Sequence, residues 1–206
     1  MSESTVVDFI FDFGSPNAYL AHRVVPAVAE RSGATFRYLP CLLGGIFKAT
    51  GNQPPMVAFG NIKGKMQYEQ LELQRFIAKH GLSAFTFNLH FPVNTLLLMR
   101  GAVAAEMDGR LAEYVEAGMR AMWEDGLKMD DPDVFAATMD AAGLDGATVV
   151  QRAQDPAVKA RLVANTEAAV DRGVFGIPTF FVGDEMFFGK DRFGQIEEEV
   201  AKKVQK

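Results

Sequence analysis

Val6-Val7-Asp8-Phe9-Ile10-Phe11-Asp12-Phe13-Gly14-Ser15-Pro16-Asn17-Ala18-Tyr19-Leu20-Ala21 passes from one backbone period to another within three residues. Val6 to Phe13 is β-branched and aromatic, so it reads as a largely buried, central strand closed by the turn Gly14-Ser15-Pro16. Ser15 before Pro16 fits an N-cap followed by proline at the first helical position. Ala18, Leu20, Ala21, Val24, Val25, Val28 and Ala29 then hold helical spacing as far as Ser32-Gly33. A second strand, Thr35 to Leu39, follows at once, and a strand-helix-strand unit of this length implies parallel strands.

Beyond it, Gly44, Gly45, Gly51, Pro54, Pro55, Gly60 and Gly64 predict a loop-rich segment. Helical periodicity returns over Gly64–His80, Val93–Asp108, Arg110–Glu124, Asp133–Ala142 and Pro156–Arg172, with Pro132 and Pro156 placed for first helical turns and Gly143 and Gly173 for helix ends. Strand signals return at Pro178–Val182 and Glu185–Phe188, joined tightly by Gly183-Asp184, and a charged helix starts near Arg192. The order predicts an α/β chain, a thioredoxin-like fold with a helical domain inserted in its middle. Residues 1–55 and 174–206 would form the thioredoxin-like part, and 56–173 the insertion.

With 206 residues, 49% of them hydrophobic, the chain can bury a sizeable core. A net charge of −5 argues against a nucleic-acid partner or a polybasic membrane contact. The start, Met1-Ser2-Glu3-Ser4-Thr5, lacks a positive region, and no long uncharged apolar run follows, so neither export nor a membrane span is expected. One cysteine, Cys41, excludes an internal disulfide, a C-x-x-C pair and any multi-cysteine metal site, and points to a reducing, cytoplasmic setting. Cys41 itself reads as a small buried residue. Phosphate-binding glycine motifs, H-E-x-x-H and the G-x-S-x-G elbow are absent, and His22, His80 and His90 are dispersed, so no metal is expected.

Two distant features remain. In a thioredoxin-like architecture the turn after the first strand carries the reactive group at a helix N-terminus, and a loop ending in a normally cis proline faces it. Here these are Ser15-Pro16-Asn17-Ala18 and Gly176-Ile177-Pro178-Thr179. The free N–H groups and dipole of a helix start suit an anion. A thiol of pKa about 8.5 is only ~3% ionised at neutral pH, and lowering its pKa by two units takes about 2.7 kcal/mol. A hydroxyl bond to a charged acceptor, roughly 1.5–3 kcal/mol, and a helix terminus, roughly 0.3–2 kcal/mol, supply that much. The plain alternative for Ser15 is an ordinary N-cap, and for Pro178 a structural turn. Met119, Met122, Trp123 and Met129 either line an apolar pocket between the domains or form core.

Four segments together resemble a known family: Asp12 to Ala21, Phe47-Lys48-Ala49-Thr50-Gly51-Asn52-Gln53-Pro54-Pro55, Phe175-Gly176-Ile177-Pro178-Thr179-Phe180 and Phe188-Gly189-Lys190-Asp191-Arg192. They are similar to the 2-hydroxychromene-2-carboxylate isomerases, relatives of the kappa-class glutathione transferases. The resemblance implies glutathione as the bound thiol and Ser15 as the catalytic residue at its sulfur. It implies that the Ile177 backbone, before cis-Pro178, pairs with the cysteinyl unit. Lys190 and Asp191 fall where the family holds the γ-glutamyl end, with Arg192 assisting by charge; otherwise they are a solvated helix start. Lys48, Asn52, Gln53 and, more weakly, Asn94 match positions that meet an aromatic small-molecule substrate; otherwise the first three sit in a surface loop and Asn94 is a helix cap. A homodimer is implied as well. A kappa-like transferase or peroxidase, and a non-catalytic glutathione-binding protein, stand as alternatives.

Overall fold

The structure, a computed structural model, describes residues 4–204, so Met1–Glu3, part of the stretch on which the export reading rests, lie outside it. Strand β1 (Val6–Phe11) leads through α1 (Pro16–Ser32) to β2 (Thr35–Pro40). Helices α2 (Leu43–Thr50), α3 (Pro55–Ala58), α4 (Lys65–His80), α5 (Leu96–Met107), α6 (Leu111–Trp123), α7 (Pro132–Ala141), α8 (Gly146–Arg152) and α9 (Pro156–Asp171) follow. The chain then returns as β3 (Thr179–Val182), β4 (Glu185–Phe188), a 3-10 turn over Lys190–Arg192 and α10 (Phe193–Val204).

The four strands lie in the order β2-β1-β3-β4. β1 runs parallel to β2 and antiparallel to β3, with Phe9 opposite Phe180 and their rings 4.7 Å apart. β1 therefore sits inside the sheet, its side chains from Val7 onward buried, as a continuous apolar run requires. It ends two residues before the predicted Phe13. Asp12 and Phe13 leave the ladder and turn fully buried side chains toward the helices, and the Trp123 indole Nε1 donates to the Phe13 carbonyl at 2.8 Å.

Two corrections concern glycine. The segment from Gly44, predicted as loop, contains α2 and α3, and α8 has no counterpart in the predicted helices. The reason is close helix contact: a Cβ on Gly45 of α2 would stand 3.1 Å from Thr166 Cγ2 of α9, and one on Gly146 of α8 only 2.0 Å from the Ala136 carbonyl oxygen of α7. Those glycines mark crossing points, where tertiary packing overrides a low helix propensity. Met119, Met122, Trp123 and Met129 are all fully buried, so they are core rather than the lining of a pocket. Among the described residues no helix is long and apolar enough to cross a membrane, and no cluster of three potential metal ligands occurs.

Candidate active site at the start of the first helix

Ser15 caps α1. Its extended backbone (φ −101°, ψ 113°) lets Oγ accept the Ala18 N–H at 3.2 Å, as an N-cap should. The same Oγ donates to the Ile177 carbonyl at 3.1 Å, across 162 positions of sequence. The β1–β3 pairing makes this contact possible by carrying the segment before β3 back beside the end of β1. The Ile177–Pro178 peptide is cis, and the Pro178 carbonyl accepts the Gly189 N–H at 2.9 Å. Ser15, Ile177 and Pro178 are thus brought together, with Ser15 only 4% exposed and Ile177 7%.

Beneath this turn lies a residue that motif reading left unassigned. Asp12 is completely buried. Oδ1 accepts the Gly14 N–H at 2.8 Å, Oδ2 accepts the Leu43 N–H at 2.7 Å, and the Thr95 side chain is a third partner. Gly14 precedes α1, Leu43 opens α2 and Thr95 precedes α5, so three helix N-termini, each with partial positive charge, converge on one carboxylate. Burial pushes the Asp12 carboxyl up, and these hydrogen bonds pull it back. No cation is needed to hold it, because oriented amides do the compensating. The signal was present in the sequence as a polar residue inside an apolar strand.

The remaining candidates divide. Asn52 bridges two site loops: its Nδ2 donates to the Phe175 carbonyl at 2.7 Å while its Oδ1 accepts the Gln53 N–H at 2.8 Å. Asn94 is exposed and its Oδ1 accepts the Leu96 N–H at 3.1 Å, a capping bond, but its neighbour Thr95 packs on Gly14, which puts Asn94 at the margin of the Ser15 turn. Lys48, in the last turn of α2, and Gln53 are exposed. Lys190 is buried, with Nζ 3.2 Å from Asp191 Oδ2 and 5.2 Å from the centre of the Phe76 ring on α4. Asp191 and Arg192 are exposed. Lys190 and Asp191 face a cleft of about 530 Å³ shared with Val24, Arg31, Phe76 and Phe193. Val24 is about 13 Å along α1 from Ser15, so the Lys190 ammonium points to the flank of the helix and not to its N-terminus.

Two aromatic groups border the turn and were not singled out from sequence. Phe175 and Phe188, each about 40% exposed, pack with centroids 4.7 Å apart beside Gly176, where a Cβ would meet the Phe188 ring at 2.8 Å. On the helical side Phe87 and Phe91 contact Trp123, whose indole holds the Phe13 carbonyl. Cys41 takes no part. It is 1% exposed, its Sγ donates to the Asn165 carbonyl at 3.4 Å, and burial, with the Asp12 and Glu106 charges, pushes its thiol up to about 12.

The chain is similar to known proteins along most of its length. Residues 6–201 match the DsbA-like thioredoxin domain family. The chain is 32% identical to a 2-hydroxychromene-2-carboxylate isomerase of Pseudomonas putida over 93% of this chain and 92% of that one. It is 26% identical to the kappa 1 glutathione S-transferase of Caenorhabditis elegans over 92% and 88% of the two chains. A solved structure of a 2-hydroxychromene-2-carboxylate isomerase superposes with a TM-score of 0.79 at 31% identity, covering 97% of this chain and 96% of the other.

Proposed function

The chain belongs to the DsbA-like thioredoxin domain family, in its 2-hydroxychromene-2-carboxylate isomerase branch, and from this we propose that it is a glutathione-dependent isomerase. Its substrate would be 2-hydroxychromene-2-carboxylate or a similar intermediate of aromatic catabolism, and its product trans-o-hydroxybenzylidenepyruvate. The observation that carries the reading is the Ser15 hydroxyl, held at a helix N-terminus 3.1 Å from the carbonyl that precedes a cis-proline. The turn has no cysteine at either end, so it lacks the thiols that disulfide exchange requires.

The residues present fit glutathione. A buried hydroxyl and a backbone carbonyl lie side by side, and the α1 dipole favours an anion at the same place. When bound, glutathione would supply a thiolate nucleophile for reversible addition to the conjugated substrate, the chemistry that lets a double bond rotate. Ser15 donates to the sulfur and holds it ionised. Ile177 fixes the cysteinyl backbone, and Asp191, exposed beside Lys190, pairs with the γ-glutamyl ammonium. Lys48 attracts the substrate carboxylate, with Asn52 keeping its loop against the Phe175 carbonyl. We assign the thiol end to residues 1–55 and 174–206 and the far wall of the substrate site to the helices of 56–173.

The direct test follows the chromene absorbance with protein and glutathione present. A spectral change that needs both supports the activity, and an unchanged spectrum overturns it. The kappa-class likeness favours a second reading, a transferase or peroxidase. Net loss of glutathione with a chloronitrobenzene or a hydroperoxide would select it, whereas the isomerase returns every glutathione. A non-catalytic binding protein would lose nothing on Ser15→Ala. The family reading also carries a homodimer, checked by light scattering.

A further inference from the structure

Helix α2 starts without a cap of its own. Its N-cap residue is Leu42, whose side chain offers no acceptor, and the Leu43 N–H donates instead to Asp12 Oδ2 at 2.7 Å, across 31 positions of sequence. The far end is held from another part of the chain, where Asn52 Nδ2 donates to the Phe175 carbonyl at 2.7 Å. Asp12 directly follows β1 and Phe175 shortly precedes β3, and these strands pair with Ile10 opposite Thr179. Both pins therefore stand on one frame, at the same end of the sheet. Between them α2 spans about 12 Å, and it carries Lys48 in its last turn. Thr166 of α9 steadies the first turn, accepting the Leu42 N–H at 3.0 Å. Of the helix's own residues only Ile46 is buried, so packing gives its last turn little direction.

We infer that Asp12 is a positioning residue, which sets the gap between the Ser15 turn and Lys48 by holding the turn with one carboxylate oxygen and α2 with the other. This rests on the reading of Ser15 and Lys48 as the thiol and carboxylate ends of the site. Oδ1 accepts the Gly14 N–H, next to Ser15, at 2.8 Å, and Oδ2 accepts the first amide of the helix that bears Lys48. The group is planar and completely buried, so the two bonds keep a fixed relation. Asn52 completes the device, because a short helix pinned at both ends moves as one body. Releasing either pin should loosen the end that was not touched.

The test cuts each pin and reads the opposite end of α2. Amide hydrogen exchange of the full chain is followed by NMR in the wild type, Asp12→Asn and Asn52→Ala. Asp12→Asn keeps the side-chain shape and turns an NH2 group toward one of the two amides; Asn52→Ala, at a half-buried position, tests the same helix from the other side if the first variant folds poorly. Asp12→Asn should raise exchange at residues 50–53 about tenfold, and Asn52→Ala at residues 42–45, with β1 and β3 unchanged. Changes confined to the end that was cut would overturn the inference, leaving two separate local bonds. Kinetics give a second reading: Asp12→Asn should raise KM for the chromene about fivefold, with kcat and the KM for glutathione within about twofold of wild type. A fall in kcat with both KM values unchanged is what partial unfolding gives, and it overturns the positioning role. If the wild-type protein with glutathione converts no chromene, the proposed function falls and the positioning role with it, while the exchange result still decides whether α2 is pinned as one body.

Discussion

The turn at residues 12–15 and the segment from α3 through α4 are built on opposite principles. In the turn, Asp12 and Phe13 are completely buried, Ser15 nearly so, and the polar groups of Asp12 and Ser15 have partners from three helices and a strand loop. In α4 only Phe76 is buried. Met56, Val57, Phe59, Ile62, Tyr68 and Leu71 are exposed along the same segment. The turn is held by its own hydrogen bonds, while α4 is held by few buried contacts, and a segment of that kind opens locally at lower cost.

Substitutions can break or sharpen this contrast. Asp12→Ala should have the largest effect, about 2–4 kcal/mol of stability, because two part-buried amides lose their acceptor at once; a denaturant midpoint equal to wild type would refute the role given to Asp12. Ser15→Ala should lower kcat/KM for the isomerisation by about 100-fold, near 2.7 kcal/mol, yet cost only about 1 kcal/mol of stability as a lost cap. Steady-state kinetics beside thermal unfolding separates the two numbers.

A third effect concerns the seam between α1 and α6. His22 and Arg23 hold the Glu116 carboxyl down to about 2, from an ordinary value of 4.5. A folded value below the unfolded one means that this stabilisation is complete above about 4.5 and is lost as pH falls toward 2. Glu116 is half-exposed, so the amount is below about 1 kcal/mol. Glu116→Gln should flatten the acid limb of stability against pH by lowering the neutral plateau by that same amount, with stability near pH 2 unchanged. Smallest of all, Val57→Ser and Tyr68→Ser should stay within about 0.5 kcal/mol of wild type. A larger loss of folding stability would show that the α3–α4 segment is as tightly held as the turn.

Much of this organisation is legible in the residues. The period change at Gly14, the cap at Ser15 and the proline of Ile177-Pro178 are local signals, and each gives the right element and the right neighbourhood. What stays hidden is non-local. Gly45 and Gly146 read as breakers because a sequence does not show the second helix that needs the missing Cβ. Asp12 reads as one acid in a strand, since its partners Leu43 and Thr95 lie far along the chain. Lys190, in a run of three charged residues that alone reads as a solvated helix start, is buried beside Phe76, on a helix from elsewhere in the chain.

The burial of Cys41 has a practical consequence. With its sulfur at the end of β2, bonded to a carbonyl of α9 and ionising only near 12, the folded chain offers no reactive thiol of its own at neutral pH. A slow alkylating reagent applied to the native protein should therefore leave it unlabelled, and label should enter at Cys41 only as the chain unfolds, so that labelling reports opening of the β2–α9 contact.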